Sequence, residues 1–169
     1  MTTRVAVIMG SDSDLAQLEG CFQTLTEFEV PFEARVLSAH RTPQQAIEFA
    51  REAKGRGIQV LIAAAGGAAH LAGTLAAHSL LPVIGIPIDS TSFNGLDALL
   101  STVQMPPGIP VATVAVGKLG ATNAALLAIQ MMSLADEALY ARLETYRAKL
   151  QAAVEAKDQA VFSKYGRRP

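Results

Sequence analysis

At 169 residues the chain is long enough for one domain with a substantial core and too short for two of ordinary size. Hydrophobic residues make up 50% of it, charged residues 17% and aromatic residues 5%, so an Ala-rich apolar surface has to be buried and contacts between subunits are expected. With 14 Lys and Arg against 15 Asp and Glu, the formal net charge of -1 gives no basic footprint and excludes an ordinary nucleic-acid binder; the one clustered basic stretch, the terminal GRRP, reads as a frayed tail.

In chain order, RVAVIM (4–9) predicts a strand, and GSDSD turns into a helix to about Phe28. FEARVL (32–37) predicts a second strand. Thr42 is placed to N-cap a helix with Pro43 at its first position, and Ala46, Phe49, Ala50 and Ala53 give that helix one apolar stripe. Gly55 or Gly57 ends it. Then follow strand QVLIAAA (59–65), the GGAAH turn, a helix over about 70–80, strand PVIGIPI (82–88), a short helix near 95–103, strand VATVAV (111–116) and helix ATNAALLAIQMMSL. Beyond Ser133 the positions Leu139, Leu143, Tyr146, Leu150 and Ala153 repeat every three to four residues, either packed on their own domain or laid as an arm (136–160) on a neighbouring subunit.

Apolar strands alternating with helices indicate α/β architecture. The expected fold is a three-layer flavodoxin-like or Rossmann-like parallel sheet with helices on both faces, one domain over 1–169 with a long C-terminal helix. Val60–Ala77 carries no formal charge if His70 is neutral, but Gly66, Gly67, His70 and Gly73 and the abundance of alanine favour strand, turn and buried helix over a membrane span. VAVIMG is too short for a signal sequence, and the single Cys21 allows no disulfide framework, so no membrane association and a cytoplasmic location are expected.

Ligands of open parallel sheets bind beyond the carboxyl ends of the strands, and three such turns stand out. In MGSDSD (9–14), Ser11, Ser13 and the helix N-terminus suit a phosphate, and Asp14 either caps the helix or accepts hydrogen bonds from sugar hydroxyls; taken alone, the motif is explained more simply by ordinary N-capping. In SAHRTP (38–43), His40 can exchange a proton near neutral pH and Arg41 can hold a phosphate or carboxylate with two hydrogen bonds, beside Ser38. In AAAGGAAHL (63–71) the glycines let backbone approach a ligand, with His70 following; His78 reads as a packed or surface residue. Dinucleotide and P-loop fingerprints, zinc-ligand spacing and the nucleophile elbow are all missing, leaving an anion-binding, acid/base site without metal or cofactor.

Together GSDSD, SAHRTP, AGGAAHL, SLLPVIGIPI, VQMPPGIPVATVAVG and NAALLA resemble the N5-carboxyaminoimidazole ribonucleotide mutase family of purine biosynthesis, from Val5 to about Tyr146. The resemblance implies that a carboxylate moves from the exocyclic nitrogen of the substrate to carbon 4 of its imidazole, giving 4-carboxy-5-aminoimidazole ribonucleotide, without ATP, metal or organic cofactor. It implies that His40 shuttles the proton, that Arg41 and Ser38 lie near the substrate phosphate, that Ser11 binds substrate and that Asp14 holds the ribose. Gly66, Gly67, Ala68 and His70 would form the loop around the base and its carboxylate. A homo-octamer is implied, and an ATP-dependent carboxyaminoimidazole ribonucleotide synthase is the functional partner to expect.

The GGAAHL form resembles the mutase branch rather than the animal-type carboxylase branch, which uses aminoimidazole ribonucleotide and free CO2. Ala72-Gly73-Thr74 departs from the Pro-Gly-Met common in the family and bears on local helix packing. Two alternatives stand beside the mutase: an aminoimidazole ribonucleotide carboxylase, and a non-catalytic flavodoxin-like module for a phosphorylated metabolite.

Overall fold

The computed structural model describes residues 2–166. Arg167, Arg168 and Pro169, on which the frayed-tail reading of GRRP mainly falls, lie outside the described residues. The chain divides into two compact units, one up to Met131 and one from Met132 onward.

In the first unit five strands, β1 (Val5–Met9), β2 (Phe32–Val36), β3 (Val60–Gly66), β4 (Val83–Ile88) and β5 (Ala112–Thr113), pair in parallel in the order β2-β1-β3-β4-β5. This is the flavodoxin-like order. Helices α1 (Leu15–Glu27), α2 (Pro43–Glu52), α3 (Leu71–His78), α4 (Leu96–Val103) and α5 (Gly117–Ser133) fill the connections. Parallel neighbours need such crossovers, and a sheet covered on both faces makes its central strands continuous apolar runs. Every residue of β1 and β4 is buried accordingly, whereas β2, an edge strand, leaves Ala34, Arg35 and Val36 exposed.

One face of the sheet, through Ala6, Ile8, Leu61 and Ala63, belongs to a core with Ala46, Phe49 and Ala50 of α2 and Leu71 and Leu75 of α3. Each fully buried large aliphatic side chain there contributes about 1.5–3 kcal/mol. On β4 the same face carries Gly85, where a Cβ would strike Thr102 of α4, so the missing side chain lets that helix settle on the strand. Val5, Val7, Ile62 and Ala64 alternate to the opposite face, which right-handed crossovers assign to α1 and α5. These two helices lie close together: a Cβ on Gly20 would come within 2.6 Å of Thr122 Oγ1.

Most expected elements lie within a residue or two of their observed bounds, and three differences have local causes. The strand expected over 111–116 shortens to Ala112–Thr113, an edge strand with one partner, because the chain turns at Gly117 (φ +66°) into α5. Helix α5 begins at Gly117 rather than Ala121: its first turn closes onto the Ala115 carbonyl, where a Cβ on Gly120 would not fit. Thr42 stands at the N-cap position of α2 but does not cap it with its side chain; the hydroxyl accepts from Ser38 N (2.9 Å) and reaches Ser38 O (3.2 Å). Pro43 does open the helix, and Gly57 (φ +92°) ends the 3-10 turn after it.

In the second unit Asp136 accepts a hydrogen bond from Leu139 N (3.2 Å) and caps α6 (Glu137–Tyr165), which runs past the expected end at 160. Leu139 is buried, while Leu150, Val154, Val161, Phe162 and Tyr165 are exposed, so the apolar stripe is sheltered only at its start. No described helix is long and apolar enough to cross a membrane; Val60–Ala77 is β3, a turn and most of α3.

Candidate active site

In this strand order the connections of β1 and β3 leave to opposite faces, which opens a crevice at the carboxyl ends of these neighbours. A cavity of about 440 Å³ occupies it. Its walls come from the three turns singled out in the sequence: Gly10, Ser11, Ser13 and Asp14 after β1; Ser38, Ala39, His40 and Arg41 after β2; Ala65, Gly66, Ala69, His70 and Leu71 around the end of β3.

The first turn is held by hydrogen bonds among its own hydroxyls. Ser13 donates from its hydroxyl (2.8 Å) and its N–H (3.3 Å) to Ser11 Oγ, and its hydroxyl also lies 3.3 Å from Asp14 Oδ1. The capping expected of this motif falls to Ser11, whose hydroxyl accepts from Ser13 N at the start of the 3-10 turn Asp12–Asp14, while Asp14 makes no side-chain cap on α1. Its side chain is instead 95% buried on the cavity wall, with 5% exposure. Burial raises the carboxyl above its ordinary 3.8; hydrogen bonds from the Ser13 hydroxyl and the Ser11 backbone pull it down, Asp12 adds to the rise and Arg41 opposes it.

The second turn is braced from within. Ser38 Oγ accepts from Arg41 N (3.1 Å) and Thr42 N donates to Ser38 O (2.9 Å), so the loop carrying His40 and Arg41 is closed on itself. Arg41 Nη2 donates to the Gly10 carbonyl (2.9 Å), tying the second turn to the first. No carboxylate pairs with this guanidinium among the described residues, which leaves the rest of its fork for an anion. A smaller cavity of about 200 Å³ adjoins, lined by Ser11, Asp12, Ser38, Arg41 and Thr42 among others.

The third turn needs two left-handed residues, Gly67 (φ +61°) and Ala69 (φ +45°). It carries His70 to the mouth of the cavity, where His70 Nδ1 lies 2.7 Å from His40 Nε2 and the rings meet edge-on at 79°. Both histidines are exposed to solvent. Thr74 donates from its N–H and its hydroxyl to the His70 carbonyl (both 2.9 Å) and so anchors the start of α3.

Seven of the nine residues marked in the sequence, Ser11, Asp14, Ser38, His40, Arg41, Gly66 and His70, stand together on this cavity; Gly67 and Ala68 are not among its walls. Sequence reading passed over Ser90, which enters the wall from the loop after β4. Its place just beyond a strand's carboxyl end was the available signal. His78 turns back on its own helix, with Nδ1 2.9 Å from the Thr74 carbonyl. A larger cavity, about 790 Å³, lies at the opposite ends of β4 and β5 among Pro82, Val83, Pro110 and Ala112. It holds no paired acid/base groups. No cluster of three His, Cys, Asp or Glu suited to a metal occurs among the described residues.

The AIR carboxylase family model matches residues 4–153. The N5-carboxyaminoimidazole ribonucleotide mutase of Pyrococcus abyssi is 56% identical over 144 residues, covering 85% of this chain and 82% of the relative. Its namesake in Bacillus subtilis is 51% identical over 162 residues, covering 95% of this chain and 100% of the relative. The crystal structure of Treponema denticola PurE matches with a TM-score of 0.81 at 30% identity, over 96% of this chain and 98% of that one. A match spanning sheet, site turns and most of the helices leaves one assignment: the chain belongs to the AIR carboxylase family.

Proposed function

We infer that the protein is an N5-carboxyaminoimidazole ribonucleotide mutase of purine biosynthesis, forming 4-carboxy-5-aminoimidazole ribonucleotide, as the relatives at 51–56% identity are named. The observation that carries the chemistry is one cavity with two imidazoles in mutual contact, a guanidinium with no carboxylate partner among the described residues and a buried carboxyl group on its walls. Arg41, with Ser11 and Ser38, takes the phosphate; Asp14 takes the ribose hydroxyls; Gly66, Gly67, Ala68 and His70 close over the base.

Protonated His40 gives its proton to the exocyclic nitrogen as the nitrogen–carboxylate bond breaks, that bond's electrons stay on nitrogen, and CO2 is released. Carbon 4 of the electron-rich ring then bonds the CO2 carbon, and its proton returns to His40, restoring the aromatic ring. One residue gives and recovers one proton, so the cycle needs no outside acid or base.

A carboxylase working on aminoimidazole ribonucleotide and free CO2 is the second reading, favoured by the description of the family model. Purified protein given each substrate separately decides between them. Rapid product from the carboxyamino compound without bicarbonate supports the mutase, and product only from aminoimidazole ribonucleotide with bicarbonate overturns it. A non-catalytic module has no use for the imidazole pair, and absence of product from either substrate would favour it.

The reading includes a cytoplasmic homo-octamer, one domain over 1–169 with the 136–160 helix reaching a neighbouring subunit, and supply of the unstable substrate by an ATP-dependent synthase. The exposed apolar side chains of α6 support the arm. A monodisperse monomer in light scattering overturns it.

A further inference from the structure

The contact between His40 and His70 constrains where protons reside. Two imidazole nitrogens 2.7 Å apart hold one hydrogen between them, so one ring donates and the other accepts. If His70 donates from Nδ1, neutral His40 has its own proton on Nδ1 and its only lone pair is already engaged. If His40 donates from Nε2, its Nδ1 lone pair is free, and His70 carries its proton on Nε2. Neither His40 Nδ1 nor His70 Nε2 has a protein partner among the described residues, so the His40–His70 bond itself sets the tautomer.

We propose that His70 is a positioning residue: a neutral imidazole that accepts the His40 Nε2–H at Nδ1, keeps His40 in the tautomer whose Nδ1 is the working base, and stabilises the imidazolium formed during the reaction. The proposal rests on the mutase reading and changes the role expected for His70 from holding substrate to holding its neighbour. The proton count agrees with it. Charged His40 carries protons on both nitrogens and must donate through Nε2, which only the accepting form of His70 permits. After His40 Nδ1 has protonated the exocyclic nitrogen, the Nε2–H bond to His70 is unchanged; the carbon 4 proton then returns to Nδ1, and no proton crosses between the rings. The Thr74 hydroxyl and N–H, both on the His70 carbonyl at 2.9 Å, fix the residue that has to hold this geometry.

The test combines spectroscopy on the free protein with kinetics on two variants. With only three histidines, 15N-histidine correlation spectra resolve each ring, and His78→Gln assigns the third. In the wild type His40 and His70 should both show a protonated Nε2 and an unprotonated Nδ1; a protonated His40 Nδ1 in the neutral pair overturns the proposal. His70→Leu removes the acceptor and should lower kcat by roughly 10- to 150-fold, the span of one charge-assisted hydrogen bond, with KM little changed. His70→Asn, whose amide oxygen stands near the place of Nδ1, should recover much of kcat. A raised KM with unchanged kcat in both variants returns His70 to the substrate-binding role and overturns the proposal, as does equal loss in Leu and Asn variants with the His40 tautomer unmoved. Wild-type protein inactive on the ribonucleotide overturns the mutase reading instead, and the spectra still decide which ring donates.

Discussion

Gly66 and Ser90 occupy one small volume on the cavity wall: a Cβ built on Gly66 would overlap Ser90 Oγ and lie 2.9 Å from Ser90 Cβ. The Ile88 carbonyl, 3.2 Å away, closes the remaining direction. Glycine at the end of β3 is therefore required by close approach of the β4 loop, and the two residues are coupled through space. Gly66→Ala should destabilise by about 1–3 kcal/mol, as overpacking does, and lower turnover by displacing the Ser90 loop. Ser90→Gly in the same chain should restore part of both losses. Thermal melts and rates on the single and double variants check this; additive losses would mean the two residues do not share that space.

Asp14 is held in a place that suits its proposed task better than it suits the fold. Burial raises its carboxyl above 3.8, so between that value and the raised one the native state binds more protons than the unfolded chain, and stability falls as pH rises through the window. Above the window the full cost of a buried carboxylate remains. Asp14→Asn, which can still accept from Ser13 and the Ser11 backbone, should melt higher than wild type at pH 7, with the difference vanishing as pH falls toward 3.8. The same variant should bind ribonucleotide more weakly. Parallel melts of the two proteins at pH 7 and near pH 4 measure it; a variant less stable at pH 7 would show that the charge itself supports the fold.

Cys21 is fully buried on α1, and burial pushes its thiol up to about 12. With so little thiolate at neutral pH and no access, it should resist thiol reagents in the native protein and react on denaturation. Its labelling rate in native buffer then reports opening of α1. Rapid stoichiometric modification of the folded protein would contradict this packing.

Arg41 already uses one N–H on the Gly10 carbonyl, and its planar fork leaves others for a phosphate. Arg41→Lys keeps the charge and loses the fork, so apparent affinity for the ribonucleotide should fall by roughly 10-fold or more, at about 1.5–3 kcal/mol for each hydrogen bond to a charged group. The melting temperature should move little. Unchanged affinity in a binding titration would place the phosphate elsewhere.

The central strands were legible because β1, β3 and β4 are apolar on both faces, and the site turns because Gly10, SAHRTP and Gly66-Gly67 punctuate their ends. Local pattern fails where tertiary contact decides. VATVAV reads as six strand residues, yet an edge strand with one partner keeps two of them regular. GKLG reads as a break before a helix, yet its glycines are what allow α5 to close on Ala115. The contact between His40 and His70 joins residues thirty apart through the parallel sheet, and neither motif alone announces it. Ser90 was missed because a serine in a polar turn carries no periodic signal.

The most direct test of the account is to measure ribonucleotide binding and carboxylate transfer on the same folded His40→Asn protein, without ATP or added bicarbonate. A shuttle that both gives and recovers the migrating proton predicts binding close to wild type and transfer slowed by roughly 100- to 10,000-fold, the usual magnitude of general acid/base catalysis. Transfer at a near-normal rate would contradict the account and remove His40 from the chemistry.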